Sequence, residues 1–159
     1  MWRLIFALAL ICAILFALFK TITAASQDST RPKIDPALRS AVKDWEERMQ
    51  REGLAYSNRF NGLEVIARVG RETAWVGRTS RATRSIEIND RQVASGQLRL
   101  LCTVYHELGH WTFGLGHSSG IMAEECPSEE YLAANWEKLV EEYVNQCRNN
   151  QFIVNTIIP

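Results

Sequence analysis

All three histidines of the chain lie within twelve residues, at positions 106, 110 and 117. The stretch His106-Glu107-Leu108-Gly109-His110 sets the first two of them four residues apart, with a glutamate next to the first. On a helix, residues four apart lie on one face with their β-carbons about 6 Å apart, so two imidazoles at this spacing can bind one Zn²⁺ at about 2.1 Å. Glu107 is rotated by about 100° from His106, so it borders the metal without binding it.

This arrangement predicts hydrolysis by a metal-activated water. Zinc lowers the pKa of a bound water toward about 7 and polarises the carbonyl under attack. Glu107 stands where it can accept the proton of that water as general base and later give a proton to the leaving amine. The residue types and their spacing favour a zinc-dependent peptidase with a peptide or protein as substrate.

A third protein ligand is expected, because catalytic zinc sites usually have three protein ligands and one open position for water. Gly114 and Gly116 can end the helix and turn the chain back, since glycine accepts a positive φ angle. His117 follows this turn directly. The sequence therefore predicts that His106, His110 and His117 form the metal site.

The stretch resembles the active-site pattern of the metzincin clan of zinc endopeptidases, H-E-x-x-H-x-x-G-x-x-H followed by a methionine turn. The segment GLGHSS is similar to bacterial and matrixin-type members. The resemblance implies a minimal zincin-like α+β fold, endopeptidase activity, and a methionine that packs beneath the zinc without binding it. The matching residues are, in order, His106, Glu107, His110, a glycine, His117 and Met122.

The spacing departs from that pattern at one point. Six residues separate His110 from His117, where the strict pattern has five. One additional helical residue rotates the exit of the chain by about 100° and advances it by about 1.5 Å, a change for which the freedom of Gly116 is expected to compensate. If His117 does not reach the metal, Glu124 or Glu125 would replace it, as carboxylates do in other zincins.

Two other interpretations use the same residues. A catalytically inactive binding module would keep the scaffold without turning over a substrate. A structural zinc site would be closed by a fourth ligand such as Cys126, and Glu107 would then have no function. The complete set of ligands, base and turn residues favours the enzyme over both.

The N-terminus predicts export. Met1-Trp2-Arg3 precedes an apolar run from Leu4 to Phe19, which is the layout of a secretory signal; with Lys20 at its end, residues 4–25 could instead anchor the chain in a membrane. The expected organisation is a signal peptide or membrane helix over residues 1–25, a linker over 26–34 and a catalytic domain over 35–159. The expected location is periplasmic or extracellular.

Composition does not favour a nucleic-acid partner. The net charge is zero, although eight arginines lie between positions 59 and 99. These arginines alternate along strand-like segments of a chain that is expected to be exported. A solvated face of a sheet is therefore the better interpretation of the arginine-rich stretch than nucleic-acid binding.

Beyond the N-terminal segment the cysteines are Cys102, Cys126 and Cys147. Three is an odd number, so at most one internal bridge forms. A predicted helix of about 18 residues would hold Cys126 and Cys147 roughly 27 Å apart, well beyond the Cα separation of about 7 Å that a disulfide allows. A bridge from Cys102 to either of them, or no bridge, remains open.

The periodicity predicts a small twisted sheet flanked by helices, an α+β arrangement. Asp35 and Pro36 begin a helix that Gly53 ends, a second helix carries the histidine motif, and a third begins at Pro127. One strand near the metal should lie at the sheet edge and pair with the substrate, as in zincins. The predicted helices cover 36–52, 95–113 and the residues from 127 onward. The predicted strands cover 63–69, 73–77 and 84–89, and either 73–77 or 84–89 is the edge strand near the metal. A last edge strand is predicted over 152–158.

Overall fold

A computed structural model describes residues 31–157 of the chain, with side chains described up to Gln151. The predicted signal or anchor segment, residues 1–25, lies outside this part. Within residues 31–157, no helix combines the length and the apolar character that crossing a membrane requires.

The sheet is mixed and has four strands in the order β1-β2-β4-β3. β2 pairs in parallel with both β1 and β4, whereas β3 pairs antiparallel with β4 and occupies one edge. β1 belongs to the stretch expected to be a linker, so the sheet begins two residues earlier than the predicted domain. The strands are β1 Lys33–Ile34, β2 Val65–Val69, β3 Gly77–Ser80 and β4 Ser85–Asn89.

The edge strand differs from the prediction. The segment 73–76 is not a strand, because the side chain of Asn89 donates hydrogen bonds to the carbonyls of Thr73 at 3.2 Å and Trp75 at 3.3 Å. These carbonyls are thereby satisfied without a neighbouring strand. The chain enters the sheet only at Gly77, and the predicted strand 84–89 is interior, so β3 alone fills the edge beside the histidine helix.

The first helix forms as the sequence predicts. Asp35 caps it by accepting a hydrogen bond at 2.9 Å from the amide of Ala37, and Pro36 occupies its first turn. A single 3-10 turn, Pro36–Leu38, leads into α1, Arg39–Arg51, and Gly53 follows with a φ of 67°. The apolar stripe of this helix is fully buried in the core: Leu38, Ala41, Val42, Trp45 and Met49.

The remaining helices are α2 Ser57–Phe60, α3 Asp90–Ala94, α4 Gln97–Leu108 and α5 Glu129–Ile157. The predicted strand over 152–158 is wrong as far as Ile157, since α5 continues through those residues. The sequence contains neither glycine nor proline between Pro127 and Pro159, so nothing in it stops the helix.

The histidine helix α4 lies at the centre of the core, between α1 and α5. Trp45 on α1 donates a hydrogen bond to the hydroxyl of Tyr143 on α5 at 3.0 Å, and Tyr143 donates to the carbonyl of Tyr105 on α4 at 2.9 Å. Tyr105 in turn donates to the carboxylate of Asp44 at 2.7 Å. The first two links are buried and hold α4 against α1 and α5, because breaking either would leave an unsatisfied polar group in the core.

The start of α4 is capped from a distant helix. The carboxylate of Glu129, at the start of α5, accepts hydrogen bonds from the amides of Leu98 at 3.1 Å and Arg99 at 2.9 Å. Gly96 leaves room for this carboxylate, since a β-carbon there would lie 2.7 Å from it. A negative charge at this end also complements the helix dipole.

Replacing Glu129 by alanine is expected to lower the free energy of unfolding by about 1–2 kcal/mol, because two amides at the start of α4 lose their acceptor. Glu141→Ala, at an exposed position of α5, is the matched control and should change stability by less than about 0.5 kcal/mol. Urea unfolding followed by circular dichroism measures both. Equal effects for the two variants would contradict the capping role.

Candidate metal centre

The three histidines converge on one point. His106, His110 and His117 each have one ring nitrogen within 4.8 Å of those of the other two. Among the described residues, no other three His, Cys, Asp or Glu side chains are grouped closely enough to hold a metal ion. Three nitrogens around a tetrahedral zinc at about 2.1 Å would be roughly 3.4 Å apart. Three rings grouped this closely could hold one metal ion between them.

Hydrogen bonds on the far side of two rings set their tautomers. Nδ1 of His106 lies 2.9 Å from the carbonyl oxygen of Ile121, and Nδ1 of His110 lies 2.6 Å from that of Leu115. A carbonyl only accepts hydrogen bonds, so both Nδ1 atoms are assigned the ring proton. The Nε2 atom of each neutral ring is then left with a lone pair, as a metal ligand requires.

The two Nε2 atoms face each other at 2.8 Å. Two lone pairs at this distance repel unless a proton or a metal ion lies near both. The pKa of His106 is lowered to about 4, mainly by burial and to a smaller extent by His110 and His117, against the raising effect of the hydrogen bond to the Ile121 carbonyl. A proton is thus disfavoured at neutral pH, and the arrangement suits a cation bound by neutral imidazoles.

A π-helical turn absorbs the additional residue between His110 and His117. After α4 ends, residues Gly109–Phe113 form one wider turn, which Gly114 closes with a φ of 67°. The amide of Leu115 then donates to the carbonyl of Gly109 at 3.2 Å. A π turn spans one residue more than an α turn, so the chain leaves the helix in a direction that returns His117 to the other two rings.

The expected compensation by Gly116 is not what the structure contains. Gly116 does not have a positive φ, and a β-carbon there would meet no atom within 4 Å. The π turn and the left-handed Gly114 redirect the chain instead. Single π turns of this kind occur frequently at functional sites.

Met122 is fully buried beneath the turn that carries the histidines. A β-carbon at Gly109 would lie 2.9 Å from Sδ of Met122 and 3.0 Å from a ring carbon of Tyr143. Gly109 therefore permits the close approach of the methionine to the helix. The loop around Met122 is closed by a hydrogen bond at 2.9 Å from the amide of Ser118 to its carbonyl.

Glu107 points into the same cavity but is not one of the grouped ligands. It is only 5% exposed, and its carboxylate accepts a hydrogen bond at 2.7 Å from the hydroxyl of Thr79 on β3. A β-carbon at Gly77 would lie 2.6 Å from this carboxylate, so any other residue there would displace the Glu107 side chain. Burial raises the pKa of Glu107, whereas the Thr79 hydroxyl and the nearby His117 oppose the rise.

The cavity around these groups has a volume of about 730 Å³. Residues 74–79, which lead into and include most of β3, line one side, and residues 123–126 line another. The predicted substitute ligands Glu124 and Glu125 lie in this lining but outside the ligand group, as does Cys126, the predicted fourth ligand of a structural site.

Sequence reasoning missed two residues of the site, Thr79 and Arg81. Arg81 donates hydrogen bonds to the carbonyls of His110 at 3.2 Å and Trp111 at 3.3 Å, and its guanidinium carbon lies 5.2 Å from the centroid of the Trp111 ring. It thus satisfies carbonyls that the π turn frees. Neither residue belongs to a motif, so no signal in the sequence points to them.

Compared with protein-family models, characterised proteins and solved structures, the chain matches none of them. The metzincin resemblance therefore stays a prediction that these comparisons do not test.

Replacing Gly109 by alanine is expected to destabilise the protein by about 1–2 kcal/mol, because the added methyl group collides with the buried Met122 and with the hydrogen-bonded Tyr143 ring. The gain in helix propensity from alanine is at most about 1 kcal/mol and does not offset this. Chemical denaturation in EDTA measures the effect without a metal ion.

Gly116→Ala is the matched control, since it adds the same methyl group in open space. It should change stability by less than about 0.5 kcal/mol. A larger loss at Gly116 than at Gly109 would show that the freedom of Gly116, and not the packing under the π turn, shapes the site.

Proposed function

We propose that this protein is a zinc-dependent peptidase with a minimal metzincin-like catalytic domain. The observation that carries the proposal is the convergence of three imidazoles, two of which direct an Nε2 lone pair toward the other, beside a buried carboxylate outside the ligand group. Imidazole ligands also suit copper, nickel and iron. Zinc is preferred because a three-histidine site with an open position next to a glutamate is the arrangement of hydrolytic zinc centres.

His106, His110 and His117 would hold the metal in this proposal. A bound zinc ion supplies a lowered water pKa and polarisation of the substrate carbonyl. Glu107 accepts the proton of the attacking water and later donates one to the leaving amine. Thr79 orients the carboxylate through its hydrogen bond at 2.7 Å, so the base does not have to be ordered when the substrate arrives.

The edge strand β3 supports a peptide as the substrate. β3 pairs with β4 on one side, and its other side has no strand partner among the described residues. Residues of β3 line the cavity that also contains the histidines. An extended peptide can add to this edge through backbone hydrogen bonds, which brings its scissile carbonyl toward the three imidazoles.

Export of the protein, with residues 1–25 as signal peptide or membrane anchor, remains part of the proposal. It rests on the sequence pattern alone, since that segment lies outside the described residues.

The full chain is expected to bind one zinc ion, and His117→Ala should weaken binding by more than about 100-fold. The loss of an outer-shell partner alone costs about 10–100-fold, and His117 is proposed as a direct ligand. Metal analysis after dialysis against zinc-buffered solutions measures both. Glu125→Ala is the control and should bind zinc like the wild type; the reverse ranking of the two variants would make a carboxylate the third ligand.

Glu107→Gln is expected to retain zinc and to reduce peptide cleavage by about 10²–10⁴-fold, because the isosteric amide cannot accept the proton. Cleavage of a mixed peptide library with zinc present, read by mass spectrometry, measures the loss. Glu124→Gln neutralises a second carboxylate in the cavity lining and should leave cleavage within a few-fold of wild type. Undiminished cleavage by Glu107→Gln would refute the mechanism, and a wild type that binds peptides without cleaving them would favour the inactive binding module.

A further inference from the structure

The cavity that contains the histidines also contains two cysteines. Cys102 on α4 and Cys126 before α5 both line it. Cys102 is fully buried and Cys126 is partly exposed. Both are free thiols, and they come from opposite ends of the segment that carries the candidate metal centre.

The two thiols come close together: both line one cavity, and Glu129, three residues after Cys126, accepts hydrogen bonds from the amides of Leu98 and Arg99 on the helix that carries Cys102. Each thiol is the largest influence on the other: the pKa of Cys126 is lowered and that of Cys102 is raised by their interaction. The positive charge of Arg99 acts on both thiols in the same direction and further lowers the pKa of Cys126. Cys126 is thus the more exposed thiol and the one closer to the thiolate form that attacks disulfides.

Cys147 is not a member of this pair. It is fully buried on α5, burial raises its pKa to about 12, and its thiol hydrogen-bonds to Tyr143. Of the two bridges from Cys102 that the sequence left open, only the one to Cys126 joins cysteines that line the same cavity.

We propose that Cys102 and Cys126 form a disulfide that closes a loop of chain around the candidate metal centre. The loop of 25 residues from Cys102 to Cys126 contains the three histidines, the buried glutamate and the buried methionine. The bond does not depend on metal binding or on peptidase activity, so it extends beyond the proposed function.

The oxidant is a low-molecular-weight disulfide, such as oxidised glutathione. The Cys126 thiolate attacks one sulfur of the oxidant, which forms a mixed disulfide and releases the first thiol. Cys102 then loses its proton and attacks Sγ of Cys126, which releases the second thiol. Two protein thiols are oxidised to one disulfide, and one external disulfide is reduced to two thiols.

The bond would fix the chain that follows the π turn, which contains His117, relative to the helix that carries His106. Ile121, whose carbonyl orients His106, lies inside the loop. Closing a loop of 25 residues restricts the unfolded chain and is expected to raise the melting temperature by roughly 5–10 °C.

The test uses the full chain, reduced and then incubated with oxidised glutathione in EDTA, so that a failure to bind zinc cannot influence the result. Excess iodoacetamide is added under denaturing conditions before digestion with trypsin. No lysine or arginine occurs between Arg99 and Lys138, so both cysteines fall in the single peptide 100–138. This peptide is expected to escape alkylation and to be lighter than its reduced form by two hydrogen atoms, whereas the peptide with Cys147 is alkylated.

Two variants complete the test. Cys147→Ser should form the same internal bond and show the same rise in melting temperature, whereas Cys126→Ser should show neither. A peptide 100–138 alkylated at both cysteines, a stable glutathione adduct on Cys126, or a bond that includes Cys147 would each overturn the proposal.

Discussion

Two hydrogen bonds from histidine rings to backbone carbonyls orient the candidate metal centre. The carbonyls of Ile121 and Leu115 both belong to the chain that follows the motif helix. They fix which nitrogen of each ring carries the proton, and so direct the free lone pairs of His106 and His110 to one point. The helical spacing brings these rings onto one face, but the returning chain decides how they are turned.

The rest of the fold holds in place both the motif helix α4 and the chain that returns from its end. The start of α4 is capped by Glu129 of α5, and its middle is linked by Tyr105 and Tyr143 to the neighbouring helices. At its end the π turn widens the helix and Gly114 reverses the chain. Burying the Glu107 carboxyl costs free energy, which the hydrogen bond from Thr79 partly offsets. The edge strand is therefore part of the site as well as of the sheet.

Local patterns predicted the elements whose signals are local. The Asp35 cap with its following proline and apolar stripe predicted α1, and the alternation over 84–89 predicted β4, because caps and burial periodicity act within a few residues. The edge strand was misplaced because Asn89, far along the chain, holds the segment 73–76 by its carbonyls. The apolar tail was expected to be a strand because short apolar runs do not distinguish strand from helix, and α5 continues into it.

The sequence by itself determined the chemical types of the site: two imidazoles one helical turn apart, a glutamate between them, a third imidazole after a glycine, and a methionine that follows. These depend on residue identity and on helical geometry, which are local properties. Tertiary structure alone decided how a six-residue gap still returns His117, since a π turn forms where neighbouring groups satisfy its freed carbonyls, as Arg81 does. It also decided that Thr79 meets Glu107 and that Cys126 comes close to Cys102, because only the packing of separate elements brings these residues together.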